Sequence, residues 1–211
     1  MCATRIPTKA KPVRRKPLNP RKQPTQSRAT ETVNAVLEGA AHILERHGLE
    51  GYTTNAIAER AGVSIGSLYQ YFPGKDAVTV ALIERELALL LADVAEADSI
   101  TDYRDAVNRL ITAAIAHQMR RPKLARLLDI EEGRLPIGAR MRQAADAVHR
   151  TLLRILSRPD SPCNRNVQEA AFDLIAIARG IVDAAGEREE TDTHELEKRV
   201  RRAVYGYLGL P

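Results

Sequence analysis

From Ser27 onward, apolar residues recur at intervals of three and four and do not alternate with polar ones over a strand's length. That pattern predicts helices and excludes a sheet. Over 28–47, Val33, Val36, Leu37, Ala40, Ala41 and Leu44 share one helix face, and Gly48 stands where a helix would end in a left-handed residue. Thr53 or Thr54 can cap a short helix through Ala61, Gly62 breaks it, and Ser64 can cap a third that runs to about Phe72. Pro73-Gly74 closes that helix and opens a longer one over 75–97. The same period continues over 102–119, 122–132, 137–157, 166–186 and 193–208. Ser99, Pro122, Gly133 with Pro136, Pro159 with Pro162, and Gly186 punctuate it. The expected body is all-α, about nine helices without an internal repeat.

The first 27 residues are different in kind. They hold eight Lys or Arg, five prolines and no acid, as in KPVRRKPLNPRK. Prolines at that spacing prevent helix and strand and favour an extended, flexible cationic arm. The whole chain carries +5, so the part beyond this +8 arm carries −3. With 211 residues and a 44% apolar fraction, that part can bury a core of its own.

Several classes are excluded. No run of ~18 apolar residues could cross a membrane, and no apolar stretch follows the basic start as a secretory signal requires. Cys2 and Cys163 are too far apart in sequence to suggest a disulfide framework or a zinc site. No Gly-rich phosphate loop, Cys/His metal spacing or G-x-S-x-G is present, so no enzyme, cofactor or metal site is expected. Glu131 and Glu132, adjacent on a helix, are expected to face different ways and touch solvent. The chain is expected to be cytoplasmic.

Thr54–Tyr71 carries the functional signal. TNAIAERA, GVS and IGSLYQY meet the demands of a helix-turn-helix. Ile57 and Ala61 face the partner helix, and Ala58 is small where the helices approach. Gly62 suits a positive φ in the turn. Val63 plugs the core, and Leu68 and Phe72 point inward from the second helix. A helical wheel anchored on Leu68 then turns Gly66, Ser67, Tyr69 and Gln70 outward, with Ser64, Ile65 and Tyr71 flanking and Ile65 half-buried. This face is small, polar and aromatic, without a charge. Hydroxyls and amides of that kind can read base edges, and small residues let a helix sit deep in the major groove. Neither Tyr69 nor Tyr71 has a burial reason there.

The stretch TTNAIAERAGVSIGSLYQYFPGKDAV resembles the DNA-binding domain of the TetR family of bacterial transcriptional repressors, over about residues 28–85. The resemblance implies a three-helix DNA-binding domain (28–74, after the disordered arm of 1–27) joined to a six-helix ligand-binding and dimerisation domain (75–211). It places Ser64, Ile65, Gly66 and Ser67 at bases. Tyr69, Tyr71 and Lys75 fall at phosphates, with Thr53, Thr54 and Asn55 beside them and Gln70 on the same face. It also implies a homodimer built from the last two helices. There Val167, Ala170, Ala171, Leu174, Ala178, Ile181, Val182 and Ala185, then Leu196, Val200, Ala203, Val204 and Tyr207, form stripes that would otherwise face only their own core. A two-fold dimer implies a palindromic double-stranded DNA operator. A small-molecule effector, expected to be apolar, would lie among the middle helices. Tyr103, Arg104, His117, Met141 and Phe172 are its first candidates. Asp129, Glu132, Arg134 and His149 are further polar groups, and Ile111 and Met119 further walls. The arm is expected to follow the phosphate backbone or enter the minor groove. The alternative is a helical protein-interaction module with a basic targeting tail and no specific DNA site.

Overall fold

A computed structural model describes residues 27–163 and 166–210. The basic arm therefore lies outside the described residues, save for Ser27. Nine helices and no strand occur among those described: α1 (Ser27–Gly51), α2 (Thr54–Arg60), α3 (Ile65–Tyr71), α4 (Lys75–Ser99), α5 (Tyr103–Met119), α6 (Pro122–Arg134), α7 (Gly138–Leu156), α8 (Val167–Glu187) and α9 (Thr193–Leu208). The all-α expectation holds.

Local chemistry sets the boundaries. Thr53 accepts the Ala56 N–H at 3.2 Å, Ser64 the Ser67 N–H at 3.0 Å, and Asp102 the Asp105 N–H at 2.8 Å. Each satisfies a backbone donor that a helix start leaves unpaired. Pro122 opens α6 where its missing N–H costs nothing. Gly48 does take a left-handed φ of 63°, but the chain resumes helical geometry for three more residues instead of stopping.

Two apolar clusters form the interior. The first joins α1, α2 and α3 to the N-terminal half of α4, and also takes in Leu124 and Leu128 of α6 with Leu135 and Ile137. The second joins the end of α4 to α5, α7, α8 and α9. The break in packing therefore does not fall at residue 74. α4 runs through both clusters, and α6 packs against the three-helix unit. Gly39 permits the tightest approach between α1 and α2: a Cβ there would lie 3.1 Å from the Ile57 carbonyl oxygen and from the Ala61 nitrogen.

Ion pairs tie α6 to the same unit. Arg121 binds Glu45 at 2.5 and 2.8 Å and Glu38 at 2.9 Å, both on α1. The Arg121 hydrogen bond holds the Glu45 carboxyl below its usual range. Glu131 corrects an expectation, because it is buried and not set in solvent. It is 5% exposed and holds Arg134 through contacts of 2.6 to 3.2 Å. Arg134, considered for the effector, is engaged in that pair instead.

Candidate DNA interface and effector cleft

The turn between α2 and α3 is built as its residues demand. Gly62 sits at φ 67°, its N–H donating to the Glu59 carbonyl at 3.1 Å. Val63 follows, half-buried, its N–H donating to the Ala58 carbonyl at 3.0 Å. Ile57, Leu68 and Phe72 are fully buried and Ala58 nearly so. α3 is thus fixed to its neighbours along one edge only.

The opposite edge faces solvent. Ser64, Gly66 and Gln70 are exposed, Ser67 is partly exposed, and Ile65 and Tyr69 are each 39% exposed. Ile65 is therefore more open than a half-buried flank. Tyr71 departs the other way: it is half-buried and packs on the first cluster, so it does have a burial reason. Thr53 and Asn55 are exposed at the start of α2, and Thr54 Oγ1 lies 3.3 Å from Tyr69 Oη. That contact links the start of α2 to the open face of α3. Ser64 Oγ is shared between the Ser67 N–H and the Ser67 hydroxyl, the latter at 2.8 Å. Its capping duty competes with reading a base. Lys75 is exposed at the start of α4, with Nζ 5.7 Å from the centre of the Tyr52 ring.

Tyr52 escaped the sequence reading. It lies 1% exposed beneath this edge, its hydroxyl 3.1 Å from Thr79 Oγ1, and burial pushes its ionisation upward. No helical stripe includes it, so periodicity carries no sign of it.

The five leading effector candidates do not come together. His117 lines a cleft between α4, α5 and α6. Tyr103 is buried in the second cluster, Met141 packs on the first, and Arg104 lies over the Tyr205 ring at 5.3 Å. Phe172 is 63% exposed and stacks on His149 at 4.2 Å between ring centres. Ile111 is core and Met119 packs beside it.

The cleft is nearly closed, with a cavity volume of about 20 Å³, and Ile83, Leu87 and Leu128 are its apolar walls. Asp129 and Glu132 line it with His117. Burial holds His117 toward its neutral form, and burial followed by Asp183 raises Asp129. Glu132 is pushed up to about 7, by burial first and Asp129 second. Among the described residues no group of three or more His, Cys, Asp or Glu is placed to hold a metal ion. None of their helices is long and apolar enough to cross a membrane.

Glu132 makes stability depend on pH. A carboxyl whose pKa rises on folding favours the fold when protonated. That contribution is complete below the ordinary value of 4.5 and is lost as pH rises through about 7. Glu132→Gln is neutral throughout. Its thermal midpoint should match the parent near pH 4.5 and exceed it at pH 8, by roughly 1–2 kcal/mol of stability after solvent screening. His117, held neutral, acts in the opposite sense, so variant and parent are compared at each pH. Melting curves at the two pH values decide it, and an equal gap at both would assign the effect to packing.

A capped helix-turn-helix with an open, uncharged second helix, set on a larger helical unit, defines a DNA-binding regulator. Comparison with known proteins agrees. Residues 36–82 match the model for bacterial regulatory proteins of the tetR family, and residues 102–208 match the tetracyclin repressor-like C-terminal domain. The chain belongs to the TetR family of transcriptional regulators. It is 31% identical over 156 residues to the nucleoid occlusion factor SlmA of Haemophilus influenzae, covering 69% of this chain and 71% of that protein. It is 32% identical over 95 residues to the transcriptional repressor AcnR of Corynebacterium diphtheriae, which is 45% of this chain and 46% of AcnR's length. A TetR regulator from Haloarcula marismortui has the same fold, with a TM-score of 0.73 at 20% identity over 85% of this chain and 97% of that one.

Proposed function

We propose that the chain is a cytoplasmic, homodimeric repressor that binds a palindromic operator and leaves it when a small molecule enters the cleft between α4, α5 and α6. The observation that carries the DNA part is the open edge of α3, with Ser67, Tyr69 and Gln70 exposed or partly so and Lys75 exposed at the next helix start. Gly66 and Ser67 suit close approach to base edges. Tyr69, steadied by Thr54, and Lys75 suit phosphate oxygens. The repressor names of relatives such as AcnR support the direction of regulation.

The effector part rests on the cleft. Its apolar walls favour an apolar body, and Asp129 and Glu132 favour a hydrogen-bond donor or positive group on it. The cleft as it stands has room for about one water, so an effector would enter by parting α4 from α6. Both pack on the DNA-binding unit, so a shift of either would alter the separation of the two α3 helices in the dimer.

The test is a gel-shift series on DNA from upstream of the gene, at several salt concentrations, with competitor DNA. Ser67→Ala and Tyr69→Phe should each weaken the specific complex by about tenfold, as a lost base or phosphate contact does, with little change in non-specific binding for Ser67→Ala. A specific complex whose affinity ignores both substitutions would remove this face from the reading. No specific complex with any genomic fragment would favour the protein-interaction module.

A further inference from the structure

The first turn of α4 carries Lys75 and Asp76, and it begins without a side-chain cap, because its N-cap residue is Gly74. Something else must hold it. From beneath, the buried Tyr52 supports it twice: its ring lies under the Lys75 ammonium, and Thr79 Oγ1 lies 3.1 Å from the Tyr52 hydroxyl and 3.1 Å from the Lys75 carbonyl oxygen. From the side, Arg134 Nη2 of α6 donates to Asp76 Oδ1 at 2.6 Å. The same nitrogen donates to Glu131 Oε2 at 2.6 Å, and Arg134 Nε reaches both Glu131 oxygens at 3.1 and 3.2 Å.

Glu131 dictates where Arg134 can be. A carboxylate 5% exposed cannot lose its cation cheaply, and Arg134 is the cation paired with it. The planar guanidinium is thereby fixed to α6, and the second N–H of Nη2 falls on Asp76. A lysine could not span both carboxylates with the same fork. Glu132, the next residue along, lines the cleft.

We infer that Arg134 is a positioning residue for DNA binding: anchored on Glu131 of α6, it fixes the first turn of α4 through Asp76 and so sets where Lys75 meets a phosphate. The inference rests on reading Lys75 as a phosphate contact. It makes the α4 start, and not only the α3 face, a place where the helical domain acts on DNA affinity.

The experiment uses the full-length protein in two arms. In the first, amide exchange is followed without DNA in the parent, Arg134→Met, Arg134→Lys and Asp76→Asn. Exchange at residues 78–80, the first amides of α4 with a backbone acceptor, should quicken by about tenfold in Arg134→Met and less in Arg134→Lys, which keeps the charge and loses the fork. Asp76→Asn leaves the Arg134–Glu131 pair intact, so it should quicken the same amides without the wider instability of an unpaired buried Glu131. In the second arm, operator affinity is measured against salt for Lys75→Met, Arg134→Met, Asp76→Asn and the pairs. Each single variant should flatten the slope of log affinity against log salt by up to about 2 for a dimer, and Asp76→Asn combined with Lys75→Met should fall no lower than Lys75→Met alone. Unchanged exchange at 78–80, or full additivity with Lys75→Met, would overturn the inference. A parent that forms no specific complex would count against the DNA reading itself, and the exchange arm would still decide whether Arg134 holds the turn.

Discussion

Leu68→Ala is expected to lower the free energy of unfolding by about 2–5 kcal/mol and to abolish specific DNA binding. Leu68 is fully buried at the centre of the seven-residue α3, within the cluster that joins α1, α2, α4 and α6. A helix of that length has no stability of its own, since nucleation outweighs the few hydrogen bonds it can form. Its position comes from Leu68 and from Phe72, also fully buried, at its end. Truncating Leu68 removes three carbons and leaves a cavity that the rest of the cluster can close only by moving α3. The open edge with Ser67 and Tyr69 moves with it. Urea denaturation at fixed protein concentration measures the effect as a lower midpoint with an unchanged slope, concentration being held because a dimer's stability depends on it. A loss under about 1 kcal/mol with DNA binding intact would mean that α3 is held by something other than its inward residues.

How far the sequence disclosed this molecule depends on how local the determining chemistry is. The turn from α2 to α3 was legible because each requirement sits within a few residues: caps at Thr53 and Ser64, a left-handed Gly62, inward Leu68. Gly48 was legible in conformation and not in consequence, because whether a helix resumes after a left-handed residue depends on what packs beyond it. The cleft was not legible. Its lining comes from residues 83–87, 117–121 and 124–132, on three helices whose mutual rotation no spacing within one helix encodes. Of the five leading candidates only His117 faces it, together with Asp129 and Glu132, which had been set among the further polar groups.

Glu131 shows the limit of periodicity most directly. Adjacent residues on a helix point about 100° apart, which lets both Glu131 and Glu132 face solvent and does not say that Glu131 turns inward. Composition assigns a glutamate to solvent. Here Arg134, three residues on, makes burial tolerable. Tyr52 is the counterpart in the loop: it belongs to no stripe, and only its packing against Lys75 and Thr79, distant in sequence, sets its place.

Gly180→Arg is expected to convert the protein to a monomer and to weaken operator binding more than about 100-fold, because the second half-site no longer adds to the first. Gly180 lies on the solvent side of α8, one and two turns from the exposed Ala176 and Phe172. A Cβ at Gly180 would meet nothing within 4 Å of the same chain. Within one subunit the substitution therefore costs no packing, and arginine is the better helix former by up to about 1 kcal/mol. The inward side of α8, with Ala170, Ala171, Leu174, Val182 and Ala185 buried, is untouched. If a second copy packs its own α8 and α9 against this surface, the small residues at 176 and 180 are what allow close approach, and Phe172 gains the cover it lacks in one subunit. A long charged side chain at the closest point then separates the two helices. Light scattering should show half the mass, and the thermal midpoint should lose its dependence on concentration. Far-UV circular dichroism should keep its helical signal. A variant that remains dimeric would place the interface elsewhere on the molecule. A monomer that binds the operator as tightly as the parent would leave the dimer standing and overturn the two-half-site reading of DNA recognition.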